Sequence, residues 1–222
     1  MSRVRVKICG IRSDEEASAA FELGADALGF NFWPGSPRYL SPGTASRIIS
    51  RLSPFVACVG VFVNEDRAIV NEIAGELRLS AVQLHGDEPP DYCKAITSAR
   101  VIKALRVGPG FDPAMVRHYP ATAILLDARV PGQYGGTGTS FEWESAVAAK
   151  EFAPIILAGG IREENVRDAI VRVSPMAVDV CSGVESEPGR KDLRKLERFM
   201  SAVQSAALEF DTASTIAGRD RE

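Results

Sequence analysis

The sequence has few of the residues that several common kinds of site require. It contains only two histidines, His85 and His118, among 222 residues. A metal site built mainly from histidine ligands would need more of them. None of the four cysteines lies in a CxxC or another zinc-type spacing; they are Cys9, Cys58, Cys93 and Cys181. No GxGxxG follows the first strand-like run, so a dinucleotide-binding fold has no support. The sequence therefore shows neither a zinc-type spacing nor a dinucleotide-binding motif.

Surplus charge and long apolar runs are also missing. The 26 basic and 29 acidic residues give a net charge of −3, so there is no basic surplus for binding nucleic acid. The longest apolar stretch, residues 55–63, is far below the roughly 18 residues that cross a bilayer. The charged start is not followed by the apolar segment of a secretion signal, and scattered thiols in such a chain are expected to be reduced. These features predict a cytoplasmic protein with a small-molecule ligand and no nucleic-acid or membrane partner.

Apolar strand-like runs alternate with helix-like segments along the whole chain. Several runs are apolar throughout, as expected where both faces of a strand are buried. This alternation predicts parallel strands joined by helices, and eight such units in this length predict a single-domain α/β protein, a (β/α)₈ TIM barrel over residues 1–206. An open doubly wound sheet is the alternative, and residues 207–222 are expected to form a disordered polar tail. The predicted strands are residues 4–9, 27–32, 55–63, 81–85, 101–107, 123–127, 155–158 and 177–180.

Two residues at the ends of strands carry candidate acid–base chemistry, because the active sites of such barrels lie at the carboxyl ends of the strands. Cys9 ends the first strand with Lys7 on the same face, and a nearby cation would favour the thiolate; the alternative is a small buried hydrophobe. Asp127 ends an otherwise apolar strand, where a carboxylate is either paired or suited to general acid work. Strands one and six are three apart in a ring of eight, so Cys9 and Asp127 are expected to face each other across the barrel mouth.

Glycine-bearing loops follow the last three strands. Such loops can direct several backbone N–H groups at one anion, and the loops after strands seven and eight are the usual phosphate site of these barrels. The alternative is that each glycine only permits a tight turn. The predicted phosphate-binding residues are Gly136, Gly138, Gly159, Gly160, Ser182 and Gly183.

Other polar residues are expected near the same mouth. Arg38, in the loop after the second strand, has a guanidinium group that suits a planar carboxylate; the alternative is an exposed surface arginine. Gln83 and His85 share one face of strand four, where His85 either titrates or only forms hydrogen bonds. Cys181 ends strand eight, which closes against strand one. Cys181 could therefore lie near Cys9, but the sequence does not give the distance between the two sulfur atoms.

Seven segments, in order from about residue 4 to about residue 200, resemble the phosphoribosylanthranilate isomerase family. Any one of them is a weak signal, but their order along the chain is highly specific. They are KICG at 7–10, SPRY at 36–39, VQLHG at 82–86, LD at 126–127, GGTG at 135–138 with FEW at 141–143, LAGG at 157–160 and DVCSGVE at 179–185.

The resemblance implies a metal-free and cofactor-free isomerase of tryptophan biosynthesis. Its reaction would be the Amadori rearrangement of N-(5-phosphoribosyl)anthranilate, with Cys9 as the general base and Asp127 as the general acid. The resemblance also implies that Arg38 binds the anthranilate carboxylate and that the glycine loops hold the phosphate. The further substrate-binding residues that we expect are Gln83, His85 and Asp179.

One position departs from the family pattern. The family usually has serine where this chain has Cys181, which puts a second thiol near the site and predicts sensitivity to oxidants. A thiol-redox role would need such a resolving cysteine beside a reactive one. The chain is expected to be a monomer or a homodimer.

Three further interpretations stay open at this point. A related phosphosugar isomerase of histidine biosynthesis performs the same rearrangement but has an aspartate at the position of Cys9. A metal-dependent pentose-phosphate epimerase would need more histidines than this chain has. A noncatalytic barrel that binds a phosphorylated ligand is disfavoured by the presence of both Cys9 and Asp127.

Overall fold

The fold is a closed barrel of eight parallel strands in sequence order, which confirms the predicted (β/α)₈ architecture. The computed structural model describes residues 3–128 and 143–219, except for the side chains of 207–219. The barrel strands are β1 (Arg5–Cys9), β2 (Ala27–Asn31), β3 (Ala57–Phe62), β4 (Ala81–Leu84), β5 (Arg100–Val107), β6 (Ala123–Ala128), β7 (Ile155–Leu157) and β8 (Ala177–Val180). A short antiparallel hairpin follows β8 and consists of β9 (Glu185–Glu187) and β10 (Arg190–Lys191).

Helices connect the strands, and polar residues start several of them. The side chains of Ser13, Ser41 and Asp66 each accept a hydrogen bond from a backbone N–H in the first helical turn, which satisfies donors that the helix itself leaves unpaired. A 3₁₀ helix at Pro113–His118, and not an α-helix, connects β5 to β6. The helices are α1 (Asp14–Glu22), α2 (Pro42–Ile49), α3 (Arg67–Glu76), α4 (Pro90–Lys94), α5 (Glu144–Ala149), α6 (Glu163–Val173) and α7 (Leu193–Arg219).

Alternation along the strands divides the apolar residues into two layers. Small and branched residues such as Ala104, Leu125 and Ile156 form a cluster inside the barrel. The opposite faces of the strands, including Val6 and Ile8, pack beneath the helices in the larger core. This alternation fixes which side chains at the strand ends point into the barrel mouth.

The last helix is longer than expected, because α7 runs to Arg219. The backbone of residues 207–219 is therefore helical, which differs from the predicted disordered tail. The segment contains three alanines and no proline, a composition that permits a helix to continue. The division at residue 206 stays a prediction. Of the helices in the described ranges, none combines the length and the apolar character that crossing a membrane demands.

Candidate active site

Cys9 lies at the end of β1 and is buried, with 8% of its surface exposed. Its side chain shares the face of Lys7, as predicted, and both pack against Gly29 of β2. A Cβ at position 29 would stand 2.9 Å from Cys9 Sγ and 3.2 Å from Lys7 Cε. The missing side chain of Gly29 therefore makes room for the thiol and the lysine chain together.

A buried ion pair lies beneath the thiol. Lys7 and Asp179 are partners in the register of β1 and β8, and Lys7 Nζ donates to Asp179 Oδ1 at 2.7 Å. Burial raises the pKa of Asp179 to about 6, against the opposing charge of Lys7. Burial also works against the Lys7 ammonium, but the charges of Asp179 and Cys9 outweigh it and raise the pKa of Lys7. A fixed positive charge is thus held below Cys9.

The structure brings Cys181 next to Cys9. Cys181 comes one residue after the pair that joins Ile8 of β1 to Val180 of β8, and the two thiols are hydrogen-bonded. The bond from Cys181, with the charges of Lys7 and Lys191, holds the pKa of Cys9 well below its usual range, although burial opposes this. The same bond, together with burial, raises the pKa of Cys181. The two pKa values are therefore shifted in opposite directions, which favours the deprotonated form at Cys9 over Cys181.

Arg38 is buried in an ion-pair network rather than exposed at the surface. Its Nε and Nη2 donate to the two carboxylate oxygens of Glu185 at 2.9 and 2.7 Å. Lys191 Nζ donates to Glu185 Oε1 at 2.9 Å and lies 3.8 Å from Cys181 Sγ. Although burial opposes it, these donors hold the pKa of Glu185 below its usual value. The alternative of an exposed arginine was wrong.

Sequence reasoning missed the residues that complete this network. Glu185 is the last residue of the DVCSGVE segment, so its place in a recognised motif was an available signal. Lys191 had no such signal, because it belongs to the two-residue strand β10. Its ammonium reaches the site only because the hairpin folds back over the end of β8.

Asp127 is paired, which was one of the two alternatives for a carboxylate at this place. His85 Nε2 lies 3.2 Å from Asp127 Oδ2, and Gln83 Nε2 lies 2.7 Å from His85 Nδ1. Gln83 and Asp127 therefore contact the two different ring nitrogens of His85, and the ring lies between them. The backbone N–H of Ala128 donates to Asp127 Oδ1 at 2.8 Å. The expected group of Gln83, His85 and Asp127 is therefore one connected chain of hydrogen bonds.

Close backbone approaches require glycine in the loops after β7 and β8. Gly159 has a φ of +74°, and a Cβ there would stand 2.4 Å from the backbone nitrogen of Ala128. A Cβ on Gly183 would stand 2.2 Å from the carbonyl oxygen of Ile161. These two glycines thus bring the ends of β6, β7 and β8 together. Gly136 and Gly138, which were predicted to bind phosphate, lie outside the described residues.

The predicted phosphate-binding residues of the last two loops lie together. Gly160 follows β7, and Ser182 and Gly183 begin the 3₁₀ turn that follows β8. These three residues border a cleft of about 300 Å³ that is also lined by Lys195 and Arg198. The arrangement brings backbone N–H groups and two basic side chains to one cleft, which Glu163 and Glu164 also line; N–H groups of this kind can bind an anion.

A second buried ion pair fixes the loop that follows His85. Lys103 Nζ donates to Glu88 Oε2 at 2.6 Å and to the carbonyl oxygen of Gly86 at 2.8 Å. Glu88 Oε1 in turn accepts from the backbone N–H of Asn64. This cluster, which sequence reasoning did not find, holds the end of β4 and with it His85. Across the described ranges, His, Cys, Asp and Glu nowhere gather in a group of three that could hold a metal ion.

Comparison with known proteins gives a consistent match over the barrel. Residues 6–202 match the sequence profile of the family described as N-(5'-phosphoribosyl)anthranilate (PRA) isomerase. N-(5'-phosphoribosyl)anthranilate isomerase of Geobacter metallireducens is 55% identical over 204 residues, which are 91% of this chain and 100% of that protein.

Solved structures agree with the sequence comparison. Phosphoribosyl anthranilate isomerase from Thermus thermophilus superposes with a TM-score of 0.84 at 40% identity, covering 91% of this chain and 99% of that one. A phosphoribosyl anthranilate isomerase in complex with reduced 1-(o-carboxyphenylamino)-1-deoxyribulose 5-phosphate gives 0.80 at 42% identity, with the same coverage of 91% and 99%. Monomers generated from the dimeric enzyme of Thermotoga maritima give 0.81 at 42% identity, again over 91% and 99% of the chains.

Proposed function

The chain belongs to the N-(5'-phosphoribosyl)anthranilate isomerase family, and from that premise we propose that Cys9 is the general base and Asp127 the general acid of its reaction. The protein is an isomerase of tryptophan biosynthesis. It converts N-(5-phosphoribosyl)anthranilate into 1-(2-carboxyphenylamino)-1-deoxyribulose 5-phosphate. The observation that carries the two assignments is the difference between the two environments at the ends of β1 and β6. Lys7 favours the thiolate of Cys9, whereas the carboxyl group of Asp127 is oriented by a hydrogen bond with His85.

The reaction needs one proton delivered and one removed. Asp127 protonates the ring oxygen of the ribose, so that the C1′–O bond breaks and an iminium ion forms between C1′ and the anthranilate nitrogen. Cys9 then takes the proton from C2′. The electron pair of the broken C2′–H bond forms the C1′–C2′ double bond of an enol-amine, and the π electrons of the iminium ion return to the nitrogen. Tautomerisation of the enol gives the ketone. General acid and base groups typically contribute about 10²–10⁴-fold each.

The surroundings of Cys9 support its role as the base. A thiol must be deprotonated to accept a proton, and the hydrogen bond from Cys181, with Lys7 and Lys191, holds the pKa of Cys9 well below its usual range. The ion pair with Asp179 fixes the ammonium of Lys7 at a constant position below the thiolate. The positive charge therefore does not have to reorganise during the proton transfer.

The hydrogen bonds of Asp127 orient its carboxyl group and leave room for the proton that it would deliver. Ala128 N–H and His85 Nε2 each occupy one carboxyl oxygen, and every carboxyl oxygen has two lone pairs. One lone pair on each oxygen is thus left for the proton that the sugar receives. Gln83 and His85 act on the substrate side as positioning residues, because they fix the direction in which the carboxyl group points.

The remaining contacts follow from charge and geometry. Arg38, which Glu185 holds in a fixed orientation, binds the anthranilate carboxylate, and Asp179 lies within the electrostatic reach of both Cys9 and His85 and contacts the sugar. The 5′-phosphate binds at Gly159, Gly160, Ser182 and Gly183, together with the loop that contains Gly136 and Gly138. The cleft that Gly160, Ser182 and Gly183 share with Lys195 and Arg198 supports this assignment.

The assignments are tested by following the loss of N-(5-phosphoribosyl)anthranilate fluorescence with purified protein. Wild type, Cys9→Ala and Asp127→Asn are compared, with Cys93→Ala as a matched control because this buried thiol lies on α4, away from the barrel mouth. We expect kcat to fall by about 10²–10⁴-fold in each of the first two variants. The control should turn over at the wild-type rate.

Two results would overturn the proposal in different ways. Turnover by Cys9→Ala within a few-fold of wild type would remove the thiol from the reaction. Failure of the wild-type protein to turn over, while it still binds the reduced product analogue tightly, would indicate a barrel that only binds a phosphorylated ligand.

We further propose that the protein works in the cytoplasm, where its four free cysteines, Cys9 above all, stay reduced. Cell fractionation followed by thiol labelling tests this. Its assembly is either a monomer or a homodimer, and sedimentation velocity distinguishes the two by mass.

A further inference from the structure

We propose that a hydroperoxide converts Cys9 and Cys181 into a reversible disulfide, and that this bond switches the isomerase off. The formation of the bond rests on the geometry of β1 and β8. The loss of activity rests in addition on the proposed role of Cys9 as the general base.

The two cysteines occupy positions that a disulfide can bridge. The register pairs Ile8 with Val180, so Cys9 and Cys181 are the next neighbours across β1 and β8. Adjacent strands lie about 4.8 Å apart, inside the Cα separation of roughly 4.4–6.8 Å that disulfides need. A Cβ on Gly10, the residue after Cys9, would stand 3.2 Å from Cys181 Sγ, so the side chain of Cys181 turns toward the end of β1.

The charges around the pair select which sulfur reacts first. Cys9 lies within the electrostatic reach of the ammonium groups of Lys7 and Lys191, which favour its thiolate. Burial instead raises the pKa of Cys58 to about 11 and that of Cys93 above its ordinary value. Because the thiolate is the nucleophile, Cys9 is the site of attack and the other two cysteines are protected.

The chemistry balances with the hydroperoxide as the only oxidant. The Cys9 thiolate attacks the terminal peroxide oxygen, the O–O bond breaks, and Cys9 becomes a sulfenic acid while the oxidant leaves, after protonation, as water or an alcohol. Cys181 then attacks the Cys9 sulfur, the S–O bond breaks, and water leaves with the thiol proton. Lys191, whose Nζ lies 3.8 Å from Cys181 Sγ, stabilises the developing thiolate of Cys181. The pair loses two electrons, and an external dithiol returns them.

The bond removes the group on which the proposed chemistry depends. In the disulfide the Cys9 sulfur can no longer accept the C2′ proton, so we expect activity to fall by about 10²–10⁴-fold, the usual contribution of a general base. The product analogue in the barrel mouth should slow the oxidation, because it covers the thiolate.

The bond itself is tested without any assay of activity. Wild-type protein is treated with hydrogen peroxide, excess oxidant is removed with catalase, free thiols are alkylated, and the unreduced protein is digested with trypsin and analysed by mass spectrometry. We expect a linked pair of peptides, residues 8–12 and 173–190, which contain Cys9 and Cys181. Cys93→Ser, as the matched control, should form the same link.

The switch is tested by adding a dithiol to the oxidised samples and measuring recovery. Wild type should regain its own untreated rate. Cys181→Ser keeps a hydroxyl donor but has no resolving thiol, so its oxidised Cys9 should proceed to the sulfinic acid and recover far less. Cys181→Ala serves the same purpose if the serine variant fails to fold.

Each other outcome contradicts part of the inference. Inactivation of the wild type without the 8–12 to 173–190 link would overturn the disulfide. Equal recovery of Cys181→Ser and wild type would remove Cys181 as the resolving residue. A linked protein that retains its activity would overturn the switch and the role of Cys9 as the base, while leaving the bond between the strands intact.

Discussion

Replacement of Lys7 by methionine isolates the buried ion pair that joins the first strand of the barrel to the last. Lys7 and Asp179 are 4% and 7% exposed, and 2.7 Å separates their charged atoms. Methionine retains most of the length of the side chain but leaves Asp179 without its counter-charge. Breaking a buried pair on one side costs about 3–5 kcal/mol when the remaining charge cannot escape.

Asp179 can be protonated when Lys7 is absent, and this limits how much stability the Lys7→Met variant loses. Burial raises its pKa to about 6 in the wild-type protein, and one unit of pKa corresponds to about 1.4 kcal/mol. At pH 8 the variant can take up a proton instead of holding an unpaired charge, so the loss from this group is limited to about 3 kcal/mol, two units of 1.4.

The pH dependence has a definite sign. A carboxyl group whose pKa is higher in the folded state contributes most stability at low pH and loses it as pH rises through the folded value. Without Lys7 the folded pKa of Asp179 lies above 6, so the deficit relative to wild type grows from pH 5 to pH 8. Near pH 5, where Asp179 is protonated in both proteins, the deficit from this group should disappear.

The assay is urea unfolding followed by circular dichroism at pH 5 and pH 8, with free energies from linear extrapolation. Lys94→Met, which breaks an exposed ion pair with Asp91, is the matched control and should change little at either pH. Lys7→Met with Asp179→Asn should recover much of the loss, because position 179 then carries no unpaired charge. An equal deficit at both pH values would refute the account of Asp179 as the titrating group.

Three further predictions address the barrel mouth. Gly159→Ala should lower the free energy of unfolding by about 1–3 kcal/mol, because alanine is strained at the positive φ of this position. Urea unfolding measures the loss, and Gly43→Ala, where a Cβ would meet open space, should show none. Equal stability of the two variants would contradict this. Arg38→Lys should raise KM more than it lowers kcat, since a lysine loses the two-pronged geometry; initial rates against substrate concentration test it, and an unchanged KM would exclude the carboxylate contact. Lys191→Met should raise the pKa of Cys9, seen as a shift to higher pH in the rate of its alkylation by iodoacetamide; an unshifted profile would show that this lysine does not act on the thiol.

The sequence was sufficient for the barrel and for the residues at its strand ends. A buried parallel strand consists almost wholly of apolar residues, so a polar residue at its end is easy to recognise. Cys9 after Val-Lys-Ile and Asp127 after Ala-Ile-Leu-Leu stood out for this reason. The common face of Lys7 and Cys9 followed from the two-residue period of a strand, and the register of β1 confirms it.

The electrostatic partners could not be predicted, because they are distant in sequence. Lys7 meets Asp179 across 172 residues, and Arg38 meets Glu185 across 147. Such contacts depend on the register in which β8 closes against β1 and on the loops above it, and local periodicity carries no information on either. The length of α7 could not be predicted for another reason: the polar residues of 207–219 are typical of a frayed tail, but they do not prevent a helical backbone.

The same closure explains why the reactivity of Cys9 is a property of the whole barrel. Of the groups that favour its thiolate, only Lys7 is close in sequence, whereas Cys181 and Lys191 come from the end of β8 and the hairpin after it. Along the β1–β8 pairing, Lys7 and Asp179 form an ion pair. Cys9 and Cys181, two residues further along each chain, are the next neighbours on the same face of the two strands. A chain in which β8 has not yet docked would therefore hold Cys9 without its hydrogen-bond donor and without one of its two lysines. The reactive thiolate, with both its proposed catalytic role and its sensitivity to peroxide, forms only when the first and last strands meet.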